Sequence, residues 1–384
     1  MCSLRSILIA IVGLLVSATW LAMLTWPCQA PGQTAASPSP SKPLPKQSVD
    51  AAQLERLIRQ LGSESFEERE AASKELDAIG QPAMPALRKA RESADLEVRR
   101  RVAALLKSIE QKRLRMRAKA LDAIRRVGGE MTTEDGTPNG STLRVDLEDH
   151  GGAIRPSNAE AVWLPYFDDA QYVSIRFGQI GDDGLAYLET FYRVRGLSLE
   201  ASKRITDAGL KHIGKLVTLR DLSLSDTLVT DAGLPHLKNL RKLRFLDLSG
   251  TRITDAGLQH FKNFKELTGL NLGRTQVTDE GMEHVKEIKM LTWLKLDRTH
   301  ITDAGLAKLK SLKRLEFLSL SETQVTDAGL AHLRDIQTLY ILHANGTKVT
   351  KQGKAEWIKR AEKRFKEIEE SNKAAEAKLN HGKK

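Results

Sequence analysis

The chain has 384 residues, a length that allows two or more domains. Charged residues make up 28% of it and aromatic residues 5%, a balance typical of soluble repeat proteins, and the formal net charge is +11. Because Cys2 and Cys28 are the only cysteines, a fold held together by several disulfides is excluded.

The N-terminal segment is a candidate membrane anchor. Residues 7–26 are uncharged and mostly apolar, a run long enough to span a bilayer. Arg5 precedes this run and no charge follows until Lys42, which favours export of the rest of the chain. Two interpretations stay open: an uncleaved signal anchor over residues 1–26, or a signal peptide cut at Cys28–Ala30, which Pro31 disfavours. The first predicts a membrane-anchored periplasmic or extracellular domain, and the second predicts a secreted one.

Two segments of different composition follow. Residues 27–49 are rich in Pro, Ser, Ala and Gln and predict a disordered linker. Residues 50–127 predict short paired helices, because apolar residues recur at helical spacing from Leu54 onward. The turn at residues 80–87 (Gly-Gln-Pro-Ala-Met-Pro-Ala-Leu) and the helix start at residues 95–101 resemble HEAT-like repeats over about 60 residues. The last part, through Leu114, Ala118, Leu121, Ile124 and Val127, is expected to form a helix that caps the next domain.

From Thr206 to Thr350 the sequence repeats every 24 residues. Each repeat joins a strand pattern, such as Leu243, Leu246 and Leu248, to a helical pattern, such as Leu258, Phe261 and Phe264. A fixed period of this size predicts a stacked solenoid. The string Thr-Asp-Ala-Gly-Leu or a close variant begins at Thr206, Thr230, Thr254, Thr278, Thr302, Thr326 and, in degenerate form, Thr350.

Residues from about 143 to 350 resemble the bacterial leucine-rich repeat family, with the consensus L-x-x-L-x-L-x-x-T-x-[VI]-T-D-x-G-L. The resemblance implies an α/β solenoid with a parallel concave sheet of about nine strands and helices on the convex side. We therefore expect a leucine-rich repeat domain over residues 128–350. Residues 351–384 predict a C-terminal capping helix, with Trp357, Ile358, Ala361, Phe365 and Ile368 as its apolar stripe, and a charged tail.

Four columns of residues recur at fixed positions of the repeat. We interpret the threonines at Thr227 and its equivalents as a bridge between neighbouring repeats, and the glycines at Gly257 and its equivalents as sites of close packing. The aspartates at Asp255 and its equivalents place negative charge at helix N-termini, which explains them more simply than calcium does. The histidine column is assigned to packing, since no cysteine or carboxylate column completes a metal site. Its members are His212, His236, His260, His284 and His332. No metal or cofactor is predicted.

No catalytic site is predicted, because the sequence has no zinc-protease, nucleophile-elbow, phosphate-loop or dinucleotide-binding motif. The pair Asp149-His150 is interpreted as a surface turn. The better candidate is the concave face, where strand residues that alternate with the core leucines point outward. Exposed aromatic residues flanked by polar groups are typical of binding hot spots. The candidate partner-binding residues are Phe245, Trp293, Phe317, Asp247, Asn271, Lys295, Asp297 and His343.

The sequence thus favours an exported, non-catalytic binding scaffold that is tethered to the membrane and recognises a protein or peptide on its concave face. A structural or self-assembling envelope component is the alternative, and an enzyme of unknown type is a remote one. The Arg-rich stretches at residues 99–101 and 113–119 could meet anionic lipid headgroups or acidic polymers, although a solvated helical face is the simpler interpretation. No nucleic acid is expected as a partner, because the domain is expected to be exported.

Overall fold

A computed structural model describes residues 50–126, 128–134, 142–147 and 157–364. The expected anchor and linker, the turn at Asp149-His150, and Phe365, Ile368 and the charged tail lie outside these residues. In the part of the chain that is described, no helix has both the length and the apolar character needed to cross a membrane.

The N-terminal region is helical and encloses its own apolar core. Two of its turns have the same hydrogen bonds. The Arg69 side chain donates to the carbonyl groups of Ser63 and Glu64, and the Arg99 side chain donates in the same way to those of Ser93 and Ala94. This recurrence supports the paired-helix pattern, and the HEAT-like assignment stays a prediction. The helices are α1 (Ala51–Gln60), α2 (Phe66–Ile79), α3 (Met84–Ala90) and α4 (Leu96–Arg126), with a 3-10 turn at Gln81–Ala83.

The strands of the described residues form one ten-stranded sheet, in which they follow one another in chain order. From β2 to β10 every neighbour is parallel, which confirms the nine predicted strands. Strand β1 is antiparallel to β2 and was not predicted, because it lacks the leucine pattern. The strands are β1 (Glu130–Glu134), β2 (Thr142–Asp146), β3 (Tyr172–Ser174), β4 (Gly196–Ser198), β5 (Asp221–Ser223), β6 (Phe245–Asp247), β7 (Gly269–Asn271), β8 (Trp293–Lys295), β9 (Phe317–Ser319) and β10 (Ile341–His343).

Short helices return the chain from each strand to the next. They are shorter than the ten-residue pattern suggested, because a 24-residue repeat leaves room for about two turns and Pro235 cannot donate a helical hydrogen bond. The α-helices are α5 (Asn158–Ala161), α6 (Asp182–Leu185), α7 (Asp207–Ile213), α8 (Asp255–Leu258), α9 (Met282–Val285), α10 (Asp303–Leu309), α11 (Asp327–His332) and α12 (residues 351–364). The 3-10 helices are Leu164–Phe167, Ala186–Thr190, Asp231–Leu237, Gln259–Asn263 and Leu333–Asp335.

One continuous apolar core runs between the sheet and these helices, as the leucine pattern predicted. Helix α4 closes one end through Ala120 and Ile124, and α12 closes the other through Trp357. The fold-class prediction, a leucine-rich repeat solenoid preceded by a helical region, is therefore confirmed. The expected capping stripes were partly wrong: Leu114 is 57% and Ile358 54% exposed. Position 114 lies where α4 passes from one core to the other, and position 358 faces away from the last repeat.

Side-chain hydrogen bonds join successive repeats. Asp231 accepts from the backbone N–H of Thr254 at 2.9 Å and from its hydroxyl at 2.6 Å, and that hydroxyl also accepts from Ala256 N–H at the start of α8. The aspartate column therefore links repeats, a role that the helix-charge interpretation missed. We call this series the Asp–Thr ladder. Its pairs are Asp182–Thr206, Asp207–Thr230, Asp231–Thr254, Asp255–Thr278, Asp279–Thr302, Asp303–Thr326 and Asp327–Thr350.

The glycine and threonine columns lie close to the Asp–Thr ladder and have separate roles. A Cβ atom at Gly257 would lie 2.3 Å from Asp231 Oδ1, so the glycine column leaves room for the carboxylates, and the expected close packing is confirmed. The bridging role proposed for the Thr227 column is wrong. The Thr227 hydroxyl donates to the Leu224 carbonyl of its own repeat at 2.7 Å, because that acceptor lies one turn back along the same chain.

Candidate functional site

The concave face of the sheet brings the predicted site residues into two aligned columns. Phe245, Trp293 and Phe317 occupy one register position on β6, β8 and β9, and Asp247, Asn271, Lys295 and His343 occupy the position two residues later. This alignment follows from the parallel register, in which each strand residue pairs with its counterpart 24 residues on.

A continuous row of rings crosses five strands. The ring centroids of Phe245 and Trp293 lie 5.4 Å apart, those of Trp293 and Phe317 lie 5.3 Å apart and stack, and His343 meets Phe317 edge-on at 5.1 Å. We call these four residues the aromatic row. The first three are half-buried and His343 is exposed, so the rings shield one another and still present an apolar surface.

Gly269 makes the row continuous. Phe245 and Trp293 are not on neighbouring strands, since β7 lies between them. A Cβ atom at Gly269 would lie 2.6 Å from Phe245 Cδ2, so any side chain there would push the ring away. The missing side chain lets the Phe245 ring lean across β7 to Trp293. Glycine within a strand pattern marks such close approaches, and that was the available sequence signal.

A cation lies beside the row. Lys295 Nζ is 5.1 Å from the centroid of the Trp293 ring, within the range of a cation–π interaction. Its charge also favours the ionised form of the nearby Asp247 carboxyl. The structure therefore brings Phe245, Trp293, Phe317, Lys295 and His343 into one cluster.

The predicted acidic and amide residues are engaged in the strand-to-loop turns. Asp247 Oδ1 accepts from Ser249 N–H at 2.8 Å, and Asp247 Oδ2 accepts from Asn271 Nδ2 at 3.0 Å. Asp297 Oδ1 accepts from Ser321 N–H at 2.8 Å. Burial raises the pKa of the Asp247 carboxyl, and the hydrogen bonds from Ser249 and Asn271 work against that rise. These side chains form a fixed polar border beside the aromatic row.

Asp221 is a concave-face residue that the sequence-based site omitted. It pairs with Phe245 across β5 and β6. Burial raises the pKa of its carboxyl to about 6, although the charges of Arg220 and Arg244 oppose the rise. Nothing in the sequence pattern signals this shift, because it depends on neighbours that β4 and β6 supply.

The geometry bears on the other candidate sites as well. Across the described ranges no group of three or more His, Cys, Asp or Glu is arranged to hold a metal ion. His212 contacts the Glu189 carboxylate through Nδ1, while His284 and His332 are exposed on the helical side. A cavity of about 540 Å³ lies between α11 and α12, away from the concave face, and is lined in part by Leu330 and Trp357. The concave face offers an apolar contact surface with a cation and a polar border.

The match to a family model agrees with this architecture. A family model described as a leucine-rich repeat region matches residues 174–372. No curated protein matches the sequence. Among solved structures, an internalin (inlF) from Listeria monocytogenes is 18% identical over 52% of this chain and 68% of its own, with a TM-score of 0.36. Internalin C2 of the same organism is 21% identical over 53% of this chain and 80% of its own, also with a TM-score of 0.36. Similarity at this level says nothing about shared partners.

Proposed function

Because this chain belongs to the leucine-rich repeat family, we propose that it is a non-catalytic scaffold that binds a protein or peptide through its concave face. The observation that carries the proposal is the aromatic row, a largely half-buried apolar surface that crosses five strands of the concave face. Aromatic side chains in such a setting supply large contact areas at little loss of conformational entropy.

The border of the row supports recognition of a chain with mixed polarity. Lys295 stands over Trp293, and the Asp247 and Asp297 carboxylates are held in fixed turns at or just beyond the carboxyl ends of β6 and β8. A partner that places an apolar side chain on Trp293 and Phe317 would have both a cation and carboxylates beside the row to contact. This combination suits a peptide segment better than a purely apolar ligand.

We further propose that the scaffold is exported and tethered. The support comes from the apolar run at residues 7–26, the charge asymmetry around it, and the Pro- and Ser-rich segment at residues 27–49. N-terminal sequencing of the native protein distinguishes the two interpretations. An intact N-terminus supports the anchor, and a new N-terminus at Pro31 would contradict it.

The binding proposal is tested with the double variant Trp293→Ala and Phe317→Ala. Loss of the stacked pair removes the centre of the row, and we expect partner capture from lysate of the source organism to fall at least about tenfold, as for hot-spot residues. Quantitative mass spectrometry of crosslinked partners gives the measurement. A modest fall in melting temperature is expected as well, since the two rings stack on each other.

Phe66→Ala is the matched control, because Phe66 is 64% exposed and lies on α2, away from the concave face. This variant should capture the same partners as the wild type. Undiminished capture by a folded double variant would show that the concave face is not the binding surface.

A further inference from the structure

The two edges of the sheet differ sharply in charge. Because β2 to β10 are parallel, all loops that lead into strands lie along one edge, and all loops that lead out lie along the other. We call the first the lead-in edge. Its segments before β5 to β10 are residues 214–220, 238–244, 262–268, 286–292, 310–316 and 334–340, and the loop before β4 continues the same edge. These segments contain 14 Lys and Arg and 4 Asp and Glu, a net charge of +10.

The lead-out edge has the opposite sign. It comprises residues 201–207, 225–231, 249–255, 273–279, 297–303 and 321–327. These segments contain 5 Lys and Arg and 9 Asp and Glu, a net charge of −4. The positive charge of the solenoid is therefore concentrated along one edge of its sheet.

The cations of the lead-in edge are stacked in register. Lys238, Lys262 and Lys310 share one position of the repeat, and Arg241, Lys265 and Lys313 share another. All six are exposed, and the structure gives them no carboxylate partner among the residues it describes. Like charges at equivalent positions of neighbouring loops, such as those of Lys238 and Lys262, repel one another. A negatively charged partner along this edge would relieve that repulsion.

Apolar side chains stand on the same edge. Tyr192 is 57%, Val217 54% and Met290 39% exposed, and each lies in a loop that leads into a strand. A soluble acidic polymer offers no apolar surface to contact these side chains, whereas a lipid interface accommodates Tyr and aliphatic side chains beside Lys and Arg. The combination of clustered cations with scattered exposed apolar residues therefore favours a bilayer over a polymer.

We propose that the lead-in edge docks on an anionic lipid bilayer. Lys and Arg in the stacked loops meet the headgroups, while Tyr192, Val217 and Met290 enter the interface. This contact is separate from the N-terminal segment and from the aromatic row. The solenoid would then stand on one edge, with its concave face open to a protein partner alongside the membrane.

The test uses the full chain, reconstituted in vesicles with either zwitterionic phosphatidylcholine alone or added anionic phosphatidylglycerol. Lysines are acetylated briefly and the labelling rate at each site is read by mass spectrometry. In anionic vesicles we expect Lys238, Lys262 and Lys310 to react about threefold or more slowly than in zwitterionic ones. Lys348 and Lys351, which follow β10 at the opposite edge, serve as internal controls and should keep their rates.

High salt concentration and substitutions of the charged residues provide further tests. High salt should abolish the protection, since screening lengths shrink to a few ångströms. The variant Lys238→Gln, Lys262→Gln and Lys310→Gln should lose protection at Lys265 and Lys313, whereas Lys348→Gln with Lys351→Gln should not. The variant Trp293→Ala with Phe317→Ala should keep it, which separates this proposal from the concave-face proposal.

Three outcomes would overturn the lipid assignment. Equal labelling in both kinds of vesicle would mean that the edge does not recognise anionic lipid. Equal protection of both edges would mean general shielding by the N-terminal segment. Protection by soluble polyphosphate without any protection by anionic vesicles would assign the edge to an acidic polymer.

Discussion

At the scale of single residues, carboxylates do more in this solenoid than their sequence positions suggest. The aspartate at the start of each helix accepts two hydrogen bonds from a threonine in the next repeat, as Asp255 does from Thr278 at 2.8 and 2.6 Å. The glycine column exists to admit that carboxylate. Aspartate, threonine and glycine of the repeat therefore form one interacting unit rather than three independent columns.

From this unit we predict that removing one of its aspartates lowers the stability of the protein. Asp255→Ala leaves the Thr278 N–H and hydroxyl without their acceptor, and we expect the free energy of unfolding to fall by about 2–4 kcal/mol. Urea denaturation followed by circular dichroism measures it. Glu280→Ala removes an exposed carboxylate of the neighbouring repeat and should change stability by no more than about 0.5 kcal/mol. Equal losses in the two variants would refute the ladder's role.

Asp221 predicts a pH dependence. Its ordinary pKa is 3.8 and burial raises the folded-state pKa to about 6. Below pH 3.8 the carboxyl is protonated in both folded and unfolded states and contributes nothing. As the pH rises toward about 6 the unfolded state ionises first, so stability falls, by at most about 3 kcal/mol.

Chemical denaturation across this pH range checks the assignment. Asp221→Asn should remove much of the decline, so the variant is more stable than the wild type at neutral pH and similar to it in acid. Asp183→Asn, at an exposed carboxylate, should leave the profile unchanged. A wild-type decline that persists in the Asp221→Asn variant would count against the buried carboxyl as its source.

At the scale of elements, helix α4 belongs to two cores at once. Its first half packs through Val98, Val102 and Ile109 into the N-terminal helices, and its second half packs through Ala120 and Ile124 against the solenoid. Between them, Arg113 donates to the carboxylate of Asp168 at 2.8 Å. Gln81 also donates to that carboxylate. Asp168, at the start of the solenoid, is therefore held by two separate elements of the helical region.

The junction predicts strong coupling between the two regions. Asp168 is 7% exposed, so Arg113→Met would leave its carboxylate buried without the cation that hydrogen-bonds to it and should reduce stability by about 3–5 kcal/mol. Adding Asp168→Asn should restore part of the loss, because neither charge then remains. Arg115→Met, at an exposed position of the same helix, is the control. Denaturation curves that show no loss in Arg113→Met would indicate that the ion pair does not hold the junction.

At the scale of the whole molecule, four surfaces follow from one repeat. The helices cover one side of the core, the strands present the aromatic row on the other, and the two sets of loops form edges of opposite charge. Each surface uses different positions of the 24-residue unit. A protein partner on the concave face and a bilayer at the lead-in edge therefore need no residues in common.

The sequence by itself determined the solenoid, its nine parallel strands and the leucines of its core, because these depend on spacings of two and of three to four residues within one repeat. It also named all four residues of the aromatic row, since alternation decides which strand residues face outward. Only the tertiary structure showed that Gly269 lets Phe245 reach Trp293, that Asp231 bonds to Thr254, and that burial shifts Asp221. Those features depend on how neighbouring repeats are aligned across the sheet. The period of the sequence implies that the repeats are aligned, but the distances between their side chains are decided by packing in the folded protein.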